Sequence, residues 1–324
     1  MKIIGISAAL PENHITHGSE KRKFTRLTGV HTRYICNDDE TFYSLGIKAA
    51  KNLFNKLPIT PSEVGFCICN SQTNDRFYPN IAFRFSEELK LERNIAAFDM
   101  HLGCSALPNV LNVSSALLES KSNHKPYGLI IIGDTLSKQA LKDDESTYPL
   151  FGDAVTAIIV ENSEEPFKFA NYWRDEDNPS ICVNALGYDK GGSLNVNQVN
   201  KIAASNHTIM KGDKVFEFVT KEVFEFLSQE NIKGTFDYFA FHQGNKFMND
   251  LLINKLDYDK QKSLESIHLF GNTSCASICM SILGSQDKID LEGNVKVLTC
   301  GFGIGLNAAY SIITLDKHAL LEII

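Results

Sequence analysis

The sequence predicts an α/β protein built from two copies of one α/β unit, and three observations carry that expectation. Short β-branched or apolar runs alternate with helical patterns along all 324 residues, the order expected of strands joined by crossover helices. Many of these runs are apolar throughout, as in strands covered on both faces. The second half then repeats the first. Val64 and Asp237 open matching strands, the small-residue turns at Cys104 and Cys275 each lead into a helix, and Gly128 and Val295 open the next matching pair. The order is the same and the offset nearly constant, over a span too long for a solenoid repeat.

The elements follow from local pattern. The opening MKIIGISAALPEN reads as a strand, Ile3–Ala8, ending in a turn. Further strands are expected at Val64–Asn70, Ile95–Asp99, Gly128–Asp134, Ala154–Val160, Ile181–Leu186, Tyr238–His242, Val295–Cys300 and Ala309–Thr314. Helices are expected at Leu45–Leu57, Asn80–Leu89, Leu107–Leu118, Lys214–Gln229, Lys246–Leu256 and Ser277–Gly284. Pro108 is compatible with its helix because it falls in the first turn. The polar stretch Glu161–Asn178 is the expected boundary, giving halves at 1–165 and 166–324 that pack without a linker.

Hydrophobic residues at 43% and charged residues at 22% suffice for a buried core and exclude a disordered chain. A net charge of −7 argues against a general nucleic-acid footprint. The start lacks the pattern of a secretory signal, and no uninterrupted apolar stretch approaches the ~18 residues of a membrane span. The expectation is a cytoplasmic protein. Its eight cysteines stand mostly in apolar runs and read as free buried thiols. Cys67 and Cys69 are too close for a zinc knuckle, and no His pair accompanies Cys275 and Cys279, so no metal site is expected.

Four segments have the residues for chemistry. Gly103-Cys104-Ser105-Ala106 joins a strand to a helix, where free N–H groups and the helix dipole lower a thiol pKa. A cysteine there is a candidate nucleophile toward a thioester, or a small core residue. His242 ends an apolar strand, where open α/β sheets place ligands, or is bonded at a strand edge. Asn272, in Gly271-Asn272-Thr273-Ser274, enters a helix as a site amide or as a cap. The glycine-rich run Cys300-Gly301-Phe302-Gly303-Ile304-Gly305 exposes N–H groups suited to an oxyanion.

The ordered set GCSA, HQGN, GNTSCAS and GFGIGL resembles the β-ketoacyl-acyl carrier protein synthase III group of the thiolase superfamily. Leu10-Pro11, Arg26 to Val30, Phe151-Gly152-Asp153-Ala154 and Gly212 to Phe216 extend the resemblance over nearly the whole chain. It implies a duplicated thiolase-like fold with five layers, α-β-α-β-α, and a homodimer. It also implies an acyltransferase without cofactor, its substrates acyl-CoA or acyl carrier protein thioesters and malonyl carrier protein, serving fatty acid or specialised acyl-chain synthesis.

On the matching positions, Cys104 takes the acyl group, and the amides of Cys104 and Ile304 hold the oxyanion, with Gly303 in the same loop. His242 and Asn272 bind the malonyl thioester carbonyl, and Phe302 shields the pocket. Arg26, Lys211, Lys214 and Lys246, with Lys255, are candidates for carrier contact. The chain departs from the family where a tryptophan precedes the Arg-Thr-Gly stretch: here the segment reads Lys21 to Arg26, with Leu27 inserted. His101-Leu102-Gly103 precedes the nucleophile in place of the family's Ala-Ala, Gly244 replaces alanine, and Asn307-Ala308 replaces a hydroxyl residue and tryptophan. Two other readings of the same scaffold are transfer of the acyl group to a hydroxyl or amine, and a non-catalytic synthase-like subunit, alone or in a heterodimer.

Overall fold

The computed structural model describes residues 1–76, 78–140, 142–145, 147–174, 181–183, 208–229 and 232–324. Strand β1 (Lys2–Ala9) is followed by β2 (Asn13–Thr16), α1 (Arg22–Thr28), β3 (Thr32–Ile35) and α2 (Phe42–Lys56). Then come β4 (Val64–Asn70), α3 (Ile81–Glu88), β5 (Ala96–Met100), α4 (Ala106–Glu119), β6 (Tyr127–Asp134) and β7 (Ala154–Glu161). The chain continues through β8 (Lys168–Trp173), β9 (Ile181–Val183), β10 (Thr208–Met210), α5 (Gly212–Phe218) and α6 (Phe224–Gln229). It ends with β11 (Tyr238–Phe241), α7 (Lys246–Lys255), α8 (Ile267–Phe270), α9 (Ser277–Gly284), β12 (Val295–Gly303) and β13 (Asn307–Ile323).

Local chemistry sets the helix starts that frame the site. Helix α2 opens on a capping box, with Ser44 N donating to Thr41 Oγ1 and Thr41 N to Ser44 Oγ. Its buried residues Phe42, Leu45, Gly46, Ala49, Ala50 and Leu53 fall on one helical face. Asp99, at the end of β5, caps α3 from a neighbouring strand: its carboxylate accepts Ile81 N at 2.7 Å and Ala82 N at 2.9 Å.

The strand pairing carries the duplication. In β4-β6-β7-β1 the successive pairs are parallel, antiparallel and antiparallel. In β11-β12-β13-β8 they are again parallel, antiparallel and antiparallel. Helices α4 and α9 lie between the two sheets, with Leu107, Val110 and Leu111 packed in one cluster with Ile278, Ile282 and Leu283. The outer face of the first sheet is covered by α2 and α3, and that of the second by α5, α6 and α7. The result is the five-layer α-β-α-β-α arrangement. Alternate residues of one strand serve the two faces, as with Val297 in the central cluster and Leu298 and Cys300 in the outer one. Cys67 and Cys69 are both buried under α2, as packing residues.

Some elements differ from the sequence expectation. The helix expected at Lys214–Gln229 begins at Gly212 and has a π-helical turn, Val219–Val223, between α5 and α6. Of the strand expected at Ile181–Leu186, Ile181–Val183 pairs with Thr208–Met210, and 184–186 lie outside the described residues. The stretch Glu161–Asn178 holds strand β8. The last strand runs from Asn307 to Ile323, far beyond Ala309–Thr314, because after Leu315 it leaves β12 and continues in parallel beside β1. Asp316 to Ala319 fall at the register shift between these pairings, and Lys317 and His318 are exposed there. This crossing strand joins both sheets into one nine-stranded array among the described residues. No helix among them is long and apolar enough to cross a membrane.

Candidate active site

A cavity of about 1040 Å³, including its open mouth, lies between the two sheets' strand ends. Cys104, His242, Asn272, Phe302, Gly303 and Ile304 all line it, so residues distant in sequence meet there.

Cys104 sits just before α4, in a turn closed by Ala106 N donating to Gly103 O. Strand β12 presses directly against this turn. At Gly301 an added Cβ would lie 2.3 Å from the Cys104 carbonyl oxygen and 2.6 Å from Ser105 Cα, so only glycine permits the approach. The Ile304 backbone N–H reaches the Cys104 thiol. The thiol is nevertheless pushed up to about 11, because burial outweighs that bond and the buried Asp134 carboxylate adds to the rise. The sequence expectation of a thiol lowered by the helix end is therefore overturned: desolvation of the buried sulfur exceeds what the N–H groups return.

His242 follows β11, with its N–H donated to Cys300 O and its carbonyl accepting from Asn249 Nδ2. Its Nδ1 is 2.6 Å from Ser277 Oγ in the first turn of α9. Burial lowers its pKa to about 4, with a backbone hydrogen bond to Ser274 opposing. The imidazole is neutral at pH 7. Phe302 stands edge-on to it, the ring centroids 5.8 Å apart.

Asn272 is held from both sides. Its N–H donates to Leu150 O, its carbonyl accepts from Gly152 N, and its Oδ1 accepts from Ser274 N at 2.9 Å. That last bond leaves the amide NH2 as the group available to the cavity. The approach needs Gly271 at φ +68°, with Leu150 O 2.9 Å from any added Cβ. Behind this segment, buried Arg33 donates Nη1 to Phe151 O at 2.9 Å.

None of Arg26, Lys211, Lys214 or Lys246 lines the cavity. Arg26 is exposed on α1, Lys214 pairs with Glu217, and Lys246 pairs with Asp250 and Glu265. Gly212 and Phe247 do line it, so the lysines border its mouth. Sequence reasoning missed Gln72, Leu136, Met210, Phe216, Phe247 and Ser274 as wall residues. They come from separate loops, a short strand and different helices, so no single periodic pattern gathers them. Phe216 and Phe247 stack at the mouth, partly exposed, with an interplanar angle of 9°.

The fold is of the thiolase class, and comparison with known proteins narrows it. The family model for 3-oxoacyl-[acyl-carrier-protein] synthase III matches residues 98–174, and the model for its C-terminal part matches residues 229–315. A beta-ketoacyl-[acyl-carrier-protein] synthase III of Streptococcus pneumoniae is 31% identical over 295 residues, covering 89% of each chain. The corresponding protein of Clostridium perfringens is 28% identical over 97% of this chain and 99% of its own. The crystal structure of a 3-oxoacyl-(acyl-carrier protein) synthase from Burkholderia xenovorans superposes with a TM-score of 0.90 at 26% identity, over 100% of this chain and 96% of its own. The chain belongs to the 3-oxoacyl-[acyl-carrier-protein] synthase III family.

Proposed function

We propose that the chain catalyses a decarboxylating Claisen condensation, joining an acyl group carried on Cys104 to a malonyl thioester to give a 3-oxoacyl thioester. The observation that carries this reading is the convergence of Cys104, His242 and Asn272 on one cavity, with the Ile304 N–H at the thiol. Family membership supports the same chemistry.

In the first step the Cys104 sulfur attacks the donor thioester carbonyl. Its proton leaves with the departing thiol of coenzyme A or the carrier, and the N–H groups of Cys104 and Ile304 hold the oxyanion. Phe302 walls the site against water. In the second step the malonyl thioester carbonyl accepts from His242 Nε2–H and Asn272 Nδ2–H. Ser277 Oγ, which also accepts from Gln243 N–H, holds His242 Nδ1, and this reading assigns the imidazole proton to Nε2. The C–C bond to the carboxylate breaks, carbon dioxide departs, and the electron pair becomes an enolate stabilised by these two donors. Its carbon attacks the acyl–Cys104 carbonyl, and the C–S bond breaks to release the cysteine. Thioester activation and loss of carbon dioxide drive the reaction, so the chemistry calls for no metal or redox cofactor.

The same reading divides the chain at 165/166, with Cys104 in the first half and His242 and Asn272 in the second. It takes acyl carrier protein thioesters as partners, as the relatives' names suggest, or coenzyme A thioesters, with Arg26, Lys211, Lys214 and Lys246 as candidate contacts outside the cavity. A cytoplasmic homodimer is the assembly we favour. Strand β5 ends the sheet, and its Phe98 and Met100 are only partly buried, as an edge awaiting a second copy would be.

Intact-protein mass spectrometry after incubation with acyl-CoAs and acyl carrier thioesters tests the first step. We expect one acyl adduct, absent in Cys104→Ala. No adduct from any donor would overturn the assignment.

A further inference from the structure

We propose that Gln72 selects an acyl group bearing a hydroxyl within the first few carbons of its thioester, over a plain alkyl chain. This rests on the reading of Cys104 as the acyl-accepting residue. The loop after β4 is pinned from beneath by fully buried Asp134. Its Oδ1 accepts from Ser71 Oγ at 2.9 Å, from Gln72 N at 2.8 Å and from Thr73 Oγ1 at 3.2 Å. With its backbone fixed, Gln72 turns its side chain into the cavity wall.

The carboxamide lies over Gly103, where an added Cβ would be 2.9 Å from Gln72 Oε1 and 3.2 Å from Ile304 Cδ1. Gly103 directly precedes the nucleophile, so the amide borders the space that the first acyl carbons occupy. Gln72 Oε1 is buried and has no hydrogen-bond partner among the described residues. Three other polar atoms of the wall are already engaged: Asn245 Oδ1 accepts Met248 N, Asn272 Oδ1 accepts Ser274 N, and His242 Nδ1 meets Ser277.

An amide in an apolar wall forfeits hydrogen bonds when methylene groups lie against it. A hydroxyl answers both of its faces, donating to the oxygen and accepting from the NH2. A site built to bond a hydroxyl rejects the analogue lacking it more strongly than an apolar pocket rejects one extra methylene.

The test compares acylation of the full chain by 3-hydroxybutyryl and butyryl thioesters, each offered on coenzyme A and on acyl carrier protein, and read as rates of adduct formation by intact mass. Wild type is expected to favour the hydroxyacyl donor about tenfold, and Gln72→Leu and Gln72→Met to favour butyryl. A wild-type preference for butyryl, or one donor ratio shared by wild type and both variants, would overturn the proposal. Both results differ from the absence of any adduct, which would instead overturn the reading of Cys104.

Discussion

Ser277 Oγ lies 2.6 Å from His242 Nδ1, which couples the first turn of α9 to the end of β11. The contact fixes the ring of a histidine that is only 3% exposed. Ser277→Ala removes it while leaving acylation of Cys104 in place. We expect condensation to fall about tenfold or more, by the loss of one oriented proton donor. Separate measurement of adduct formation and of product release by single-turnover kinetics checks the split; equal losses in both would contradict it.

Arg33 predicts a second split. Its bond to Phe151 O backs the segment whose Leu150 and Gly152 clamp the Asn272 backbone. Arg33→Met leaves a buried carbonyl unpaired and costs about 1–3 kcal/mol of stability. The expected kinetic effect is a raised KM for the malonyl substrate with near-normal acylation of Cys104. Steady-state kinetics at varied malonyl carrier concentration measures it, with Arg33→Lys restoring part of the loss.

Gly301 carries a steric prediction. The atoms facing it belong to the Cys104–Ser105 backbone and have nowhere to move. Gly301→Ala is expected to destabilise the fold by about 1–3 kcal/mol and to abolish the adduct, checked by urea unfolding and intact mass.

The pH dependence follows from two groups. His242 has its folded pKa depressed from 6.5 to about 4, so the unfolded chain binds more protons between these values. Stability therefore falls as pH drops below 6.5 toward 4, by about 3 kcal/mol if the full shift is expressed. Unfolding at pH 7.5 and pH 5 should show the loss in wild type and a smaller one in His242→Gln. Cys104 is raised to about 11, so its alkylation by iodoacetamide should climb steadily with pH toward that value.

The residues that converge on the cavity were legible because each stands in a glycine-containing junction beside an apolar run. Cys104, His242, Asn272 and the Gly303-Ile304 loop needed only the internal repeat and the family resemblance to be gathered together. The supporting residues were not legible. Ser277, Arg33 and Gln72 are ordinary polar residues in sequence, and their meaning depends on contacts across elements. The thiol pKa was misjudged because sequence shows the helix end but not the burial. Strand β13 runs past the expected end at Thr314 because the polar residues Asp316-Lys317-His318, which break the apolar run, sit where the strand changes partner.

The central claim is condensation with loss of carbon dioxide. We would first acylate Cys104, then add malonyl carrier thioester labelled at its free carboxyl and follow labelled carbon dioxide together with the 3-oxoacyl product. The account predicts release of label in step with product, both lost in His242→Ala and Asn272→Ala while the Cys104 adduct persists. An acylated enzyme that releases no carbon dioxide, and passes its acyl group to a hydroxyl or amine instead, would contradict it.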